Sequence, residues 1–196
     1  MRTRNTDKEK LVKQMAMDLV VKEGIDRFSM NKLAKVCKIS VATLYIYYQD
    51  KDDLITKIAE EQVHYASREI LQDFNPKASF EEGLKQQWKN RLRRMLENPT
   101  SEFFLDQLRS SSYNEKIFPV FLSYFRPVMR EFMTNAIKRG EIDPHPIGVY
   151  WSIAFAPLYN LVRFHRDGNG FGGQEFALTD EIVWQTFDLV IKALKK

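Results

Sequence analysis

Three helix-start signals crowd into the first quarter of the chain and limit what it can fold into. Ser29, Ser40 and Asp50 each stand immediately before a run that reads as helix. Each carries a short side-chain oxygen that can accept a hydrogen bond from the free N–H groups of a first turn. The intervals leave room for two helices of only about eight residues. Helices that short are unstable alone in water, so they must pack on each other and on a longer partner. That partner precedes them. Thr6, followed by Asp7 and Glu9, stands before Leu11, Val12, Met15, Ala16, Leu19 and Val20, an i, i+4, i+8 stripe that Gly24 ends. Ile25 and Phe28 anchor the loop that follows. Leu33, Ala34 and Cys37 form the inward side of the second helix. Leu44 and Tyr48 form that of the third, residues 41–48, after the tight turn Lys38-Ile39-Ser40. Asp50 caps a longer fourth helix that begins Lys51-Asp52-Asp53-Leu54 and runs to about Leu71.

From there the pattern stays helical, punctuated by Asn75-Pro76, Asn98-Pro99, Gly140, Asp143-Pro144 and the glycine-rich residues 168–173. Residues 79–97, 102–112, 115–139, 146–166 and 180–195 read as helices, and no β-alternation competes with them. The expected fold is all-α, with a three-helix module over residues 1–50 and a helical domain over residues 51–196, linked through the fourth helix. At 196 residues, 44% of them hydrophobic and 13% aromatic, the chain can bury a sizeable core. The single cysteine, Cys37, excludes an intramolecular disulfide. The first ten residues are polar and charged, unlike an export signal, and a reducing cytoplasm is the expected setting. The longest apolar run, residues 149–162, contains Ser152, Pro157 and Asn160 and is too short to span a membrane; a buried helix is expected there.

The charge is unevenly placed. Residues 1–57 hold 12 Lys and Arg against 8 Asp and Glu, while residues 58–196 hold 18 of each. A basic excess on a small helical module suits a binder of the phosphate backbone, although a solvated surface explains it equally well. The third helix adds a sharper signal. With Leu44 and Tyr48 in the core, Val41, Ala42, Thr43, Tyr45, Ile46 and Tyr47 are left outward, with no carboxylate among them. Such a face fits a major groove, where apolar groups meet thymine methyls and hydroxyls reach phosphates or base edges. The plainer alternative is packing against a neighbouring helix.

The string Ile39-Ser40-Val41-Ala42-Thr43-Leu44-Tyr45-Ile46-Tyr47-Tyr48-Gln49-Asp50-Lys51-Asp52-Asp53-Leu54 resembles the signature of the TetR family of transcriptional regulators. Upstream, Gly24-Ile25-Asp26-Arg27-Phe28-Ser29-Met30-Asn31-Lys32-Leu33-Ala34 matches the family's entry to its helix-turn-helix in spacing and character. The resemblance implies that Tyr45, Tyr47 and Lys51 touch the DNA backbone. It also implies that Thr43, with Val41 and Ala42, approaches base edges or phosphate, and that Ser29 and Asn31 contact the adjoining strand. Lys51 has independent support, because a helix N-terminus attracts phosphate. Two positions depart from the pattern: Ala42 stands where many members have glycine, and Tyr48 where most have phenylalanine. A buried Tyr48 needs a partner for its hydroxyl.

Elsewhere the chemistry is sparse. His64, His145 and His165 are far apart in sequence and complete no metal spacing, so no metal or cofactor is expected. His165-Arg166-Asp167 suits the end of a helix. The glycine cluster lacks a phosphate-loop context and reads as a flexible connector. Cys37 faces inward and reads as a core residue rather than a redox sensor. Arg91, Arg93 and Arg94 read as a solvated face with salt bridges in preference to an anion site.

The C-terminal region is rich in aromatics, and Pro119, Pro127 and Pro157 are expected to kink its helices. Trp88, Phe104, Phe121, Tyr124, Phe125, Trp151, Phe155 and Tyr159 are the candidate lining of an apolar effector pocket, which the resemblance implies. The resemblance further implies a homodimer through the last two long helices, about 146–166 and 180–195. Stripes of Trp151, Phe155, Leu158 and Val162, and of Ile182, Phe187 and Val190, lend partial support. The expected protein is a non-enzymatic regulator, repression being the family's commoner mode. It would read a palindromic operator in double-stranded DNA and be released by a small apolar molecule. A DNA-binding or architectural protein without an effector is the alternative, and a helical enzyme the more distant one.

Overall fold

The computed structural model describes residues 2–196, with side chains from Lys8 onward. Its ten α-helices are α1 (Arg2–Glu23), α2 (Met30–Cys37), α3 (Val41–Tyr47), α4 (Lys51–Ile70), α5 (Phe80–Glu97), α6 (Pro99–Arg109), α7 (Asn114–Lys138), α8 (Ile147–Ala154), α9 (Ala156–Asp167) and α10 (Asp180–Leu194). Among the described residues the β-structure amounts to two isolated bridges, Ile142 with Lys195 and Asn169 with Glu175. The fold is all-α, as expected. No helix among the described residues is long and apolar enough to cross a membrane.

The chain forms two compact units, Met1–Ser67 with Asn98–Tyr124 and Arg68–Glu97 with Phe125–Lys196. This division differs from the expected boundary at residue 50. The reason lies in the core of the first unit, where Leu54, Ile55 and Ile58 of α4 and Phe104 and Leu108 of α6 are buried with Val12, Ala16 and Leu33. Gln107 also donates to the Val21 carbonyl at 3.2 Å, fastening α6 to α1. Helix α1 begins at Arg2, upstream of the expected start at Thr6; the side chains of Thr6 and Asp7 lie outside the described residues.

In the second unit, α5 packs on α9, and α8 packs on both α9 and α10. Helix α5 starts with a capping box: the Glu82 N–H donates to Ser79 Oγ at 3.3 Å, and the Ser79 N–H donates to Glu82 Oε2 at 3.2 Å. Glu141 completes this start by accepting the Phe80 N–H at 2.6 Å. Arg139 Nε donates to Glu141 at 2.7 Å, and that hydrogen bond holds the Glu141 carboxyl below its ordinary value, against the opposing effect of burial.

The prolines act differently from one another. Helix α7 runs unbroken through Pro119 and Pro127, both on its exposed side, where carbonyls that lose a partner can be hydrated. Pro157 does end a helix. The expected helix over residues 146–166 is divided at Phe155 (φ −127°, ψ −30°), and Pro157 enters the first turn of α9, where its missing N–H does no harm. The apolar run 149–162 is therefore two helices, buried at Tyr150, Ala154, Phe155 and Leu158 but exposed at Val149. The glycine cluster, expected to be a flexible connector, is a turn closed by Gly170 N–H to the Gln174 carbonyl (2.7 Å) and Phe176 N–H to the Gly168 carbonyl (3.1 Å).

Gly83 lies inside α5, where glycine normally weakens a helix. A Cβ there would stand 2.6 Å from Cζ of the fully buried Phe132 ring. Gly83→Ala is therefore expected to lower Tm, because overpacking costs about 1–3 kcal/mol against about 1 kcal/mol gained in helix propensity. Thermal unfolding measures the balance. Glu141→Gln should show a pH signature. A carboxylate held below its ordinary value stabilises the fold above that value and loses this contribution as pH falls through the lowered one. The variant should melt below the wild type at pH 7, with the gap closing below about pH 4.

Candidate nucleic-acid interface

Helix α2 is capped by Ser29, whose hydroxyl accepts the Lys32 N–H at 3.3 Å. It ends at Lys38, which adopts the left-handed conformation (φ 55°, ψ 42°) that turns the chain sharply into α3. Ser40 then caps α3, accepting the Thr43 N–H at 3.2 Å. Leu44 and Tyr48 are buried as expected, although Tyr48 is extended and closes the helix from outside rather than belonging to it.

With those two side chains inward, the other face of α3 is open. Tyr45 is 52% exposed, Ile46 75% and Tyr47 42%, with Ala42 exposed beside them. Packing against a neighbouring helix, the plainer reading of these aromatics, does not cover Tyr45 or Ile46 among the described residues. Val41 and Thr43 are half-buried at the helix start, and the Thr43 hydroxyl lies 2.8 Å from that of Ser40, so it is oriented by the cap. Asn31 is exposed on the first turn of α2.

Lys51 differs from a plain surface cation. It is half-buried, and its ammonium donates to the Ile25 carbonyl at 2.8 Å, tying the start of α4 to the loop before α2. Two further donors of the same ammonium remain for an anion. Nearby cations divide into two groups. Lys32 is paired with Glu23 at 2.6 Å, and Lys57 with Asp53 at 2.9 Å. Lys35 and Lys38 are exposed and enter no ion pair among the described residues. They were absent from the expected contacts, yet their position beside α3 and on the outward side of α2 was visible in the sequence.

Tyr48 does not find the partner it was expected to need. Its ring is 4% exposed, and its hydroxyl has no hydrogen-bond partner among the described residues. Burial pushes its phenol up. Cys37 is half-buried, and burial likewise pushes its thiol up, the direction that disfavours a reactive thiolate. Among the described residues no group of three His, Cys, Asp or Glu could hold a metal ion.

The eight residues expected to line an effector pocket divide between the two units. Phe104 lies in the core of the first unit, Phe121 packs against that core, and Tyr124 is 43% exposed with its ring 5.4 Å from that of His64. Trp88, Phe125, Trp151, Phe155 and Tyr159 are in the second unit. There Trp88 is fully buried, and its indole N–H donates to the Ala154 carbonyl at 2.7 Å rather than facing a cavity. The arginine cluster corrects a different expectation. Arg93 is on the surface and donates to Gln72 at 2.7 Å, but Arg91 and Arg94 are 1% and 3% exposed. Arg94 is paired with Glu69, whereas Arg91 lies among aromatic rings.

Residues 7–58 match the bacterial regulatory proteins of the tetR family. An uncharacterized HTH-type transcriptional regulator of Haemophilus influenzae is 32% identical over 110 residues, 56% of this chain and 59% of that protein. The uncharacterized HTH-type transcriptional regulator YuxN of Bacillus subtilis is 39% identical over 49 residues, 25% of this chain and 17% of YuxN. The chain thus spans less than two thirds of the length of either curated relative. Over its full length it superposes on the crystal structure of a TetR family transcription regulator from Marinobacter aquaeolei, with a TM-score of 0.84, 26% identity and 100% of both chains covered. Residues 7–58 thus carry the N-terminal module of the tetR family, and the whole chain has a fold similar to that of a TetR family transcription regulator.

Removing the Tyr48 hydroxyl removes a buried polar group that nothing among the described residues satisfies. Tyr48→Phe is expected to leave stability unchanged or to raise it by up to about 1 kcal/mol, against the loss normally seen when a buried tyrosine loses its hydroxyl. Denaturant unfolding distinguishes the two.

Proposed function

We propose that the protein is a transcriptional regulator, a repressor in its main mode, that reads a near-palindromic operator in double-stranded DNA as a homodimer and is released by a small effector. The exposed face of α3 carries this reading. Two tyrosines, an isoleucine and an alanine with no charge among them make a poor solvated surface. They make a good groove surface when flanked by Lys35, Lys38 and Lys51. Such a protein works where the chromosome is, in the cytoplasm.

The dimer reading rests on apolar side chains left uncovered on the last helices. Ile147 and Val149 on α8 are 73% and 46% exposed, and Leu189 on α10 is 65% exposed. Most of the stripe residues expected to serve this role face inward instead: Phe155, Leu158, Phe187 and Val190 are buried in their own unit. A two-fold dimer would place two copies of α3 about one DNA turn apart. Release requires an effector that binds the DNA-incompetent arrangement more tightly; ~2 kcal/mol of difference lowers operator affinity about 30-fold.

Selection of bound sequences from a random duplex pool at two salt concentrations tests the reading. An enriched palindrome is expected; salt-sensitive binding with no enriched motif would overturn it. On the selected site, Lys51→Ala should weaken binding to all sequences alike and lower the salt slope by about one. Thr43→Ala should instead relax sequence preference by about 1–3 kcal/mol at one position. Identical behaviour of the two variants in titrations at several salt concentrations would contradict these roles.

A further inference from the structure

Arg91 is the least expected side chain in the second unit. Its guanidinium carbon lies 4.3 Å from the centre of the Phe155 ring and 5.1 Å from those of Phe125 and Trp151. Nη1 donates to the Tyr159 hydroxyl at 3.0 Å and Nη2 to Gln87 Oε1 at 3.3 Å. Both acceptors are neutral. Among the described residues Nε has no partner and no carboxylate forms an ion pair with Arg91. Stacking on ring faces offsets part of the cost of burying this cation, but a carboxylate accepting from two of its N–H groups would offset far more. A second buried polar group lies in the same cluster. Tyr150, whose ring meets that of Phe155 edge-on at 6.0 Å, is 2% exposed, and its hydroxyl also lacks a partner among the described residues. Burial pushes that phenol up, and the charge of Arg91 acts in the opposite direction, so the two groups sense each other.

Gln87 links this cluster to a helix end. While its Oε1 accepts from Arg91, its Nε2 donates at 3.2 Å to the carbonyl of Ile70, the last residue of α4. Asn90 donates to the same carbonyl at 3.0 Å, so one turn of α5 holds the terminus of the helix that begins at Lys51.

We propose that Arg91 is the anchor for the carboxylate of an apolar effector, with the Tyr150 hydroxyl as a second donor, and that Gln87 passes the engagement of Arg91 to the end of α4. This rests on the regulator reading above and names the chemical class of its effector. The site is closed without ligand; Trp151 and Tyr159, both half-buried, form its more accessible side. An acyl or aryl body would lie against the rings while the carboxylate takes the idle Nε–H together with an Nη–H. As the guanidinium turns toward it, the bond to Gln87 is given up, and the grip on Ile70 weakens.

The test uses octanoate and 1-naphthoate as probes on the full chain, with octanamide and 1-naphthamide as neutral controls. Calorimetry and melting measure binding, and titration of the selected operator measures release. The carboxylates are expected to bind and, at about tenfold their Kd, to raise Tm by about 3–5 °C, while the amides do nothing. Arg91→Met should melt at or above the wild-type temperature and bind the carboxylates about 100-fold more weakly. Tyr150→Phe, the milder change, should keep its Tm and lose about 5- to 10-fold in carboxylate affinity. Gln87→Met should bind carboxylate but no longer lose operator affinity in its presence. Equal binding of amides, unchanged binding in Arg91→Met or Tyr150→Phe, a marked loss of stability in Arg91→Met, or no binding of either carboxylate would each overturn the anion site. Release retained in Gln87→Met would overturn the coupling. A selected palindrome with no carboxylate response defeats this inference alone; carboxylate binding with no palindrome defeats the regulator reading alone.

Discussion

The burial of Leu44 and Tyr48 holds α3 in place, and the character of its exposed face follows from it. Seven residues of helix return too few hydrogen bonds to offset the backbone entropy they lose. The Ser40 cap supplies part of the difference. Burial of Leu44 in the core with Val12, Ala16 and Leu33 supplies about 1.5–3 kcal/mol more. Once positions 44 and 48 point inward, the helical period leaves Ala42, Tyr45 and Ile46 pointing out. Lys51 joins the same scaffold through the Ile25 carbonyl, so a cation that can meet phosphate also fixes the loop leading into α2. A face held this way loses little entropy on meeting a groove, which favours binding by preorganisation.

In the second unit the polar side of α5 is the corresponding constraint. Gln87, Asn90, Arg91 and Arg94 are all buried, on a helix whose composition is more polar than most of its neighbours. They satisfy the carbonyls that end α4 and the carboxylate of Glu69. A polar network of this kind is sensitive to the loss of any member, because each group left unpaired carries its own desolvation penalty. Sensitivity of that sort suits an element that must respond to a ligand. Arg91, held by neutral acceptors and ring faces, has unused capacity and, among the described residues, no carboxylate beside it.

Much of this could be read in advance, and the reasons for success and failure are physical. Ser29 and Ser40 are local signals, since a cap is made by residues three apart, and both cap the helices expected. Leu44 and Tyr48 were legible from their four-residue spacing. The apolar run at 149–162 hid a helix break, because the effect of a proline depends on where the surrounding structure places it. Pro119 and Pro127 sit on the exposed side of α7, and Pro157 at the start of α9. Arg91 was misread for a related reason. Charge usually marks the outer face of a helix, and only distant residues, Phe125, Trp151 and Phe155, enclose this one. The aromatics read as one pocket divide between two units, a fact that composition and periodicity do not carry.

The central claim is that the exposed side of α3 meets DNA, and side-chain oxidation by hydroxyl radicals probes it without any substitution. Tyr45, Tyr47 and Tyr65 are all exposed in the free chain, at 52%, 42% and 46%. On adding saturating duplex of the selected sequence, oxidation of Tyr45 and Tyr47 should be strongly suppressed while that of Tyr65, on α4, stays as it was. Suppression at Tyr65 with Tyr45 and Tyr47 unchanged would show that DNA is held by another surface and would contradict the account.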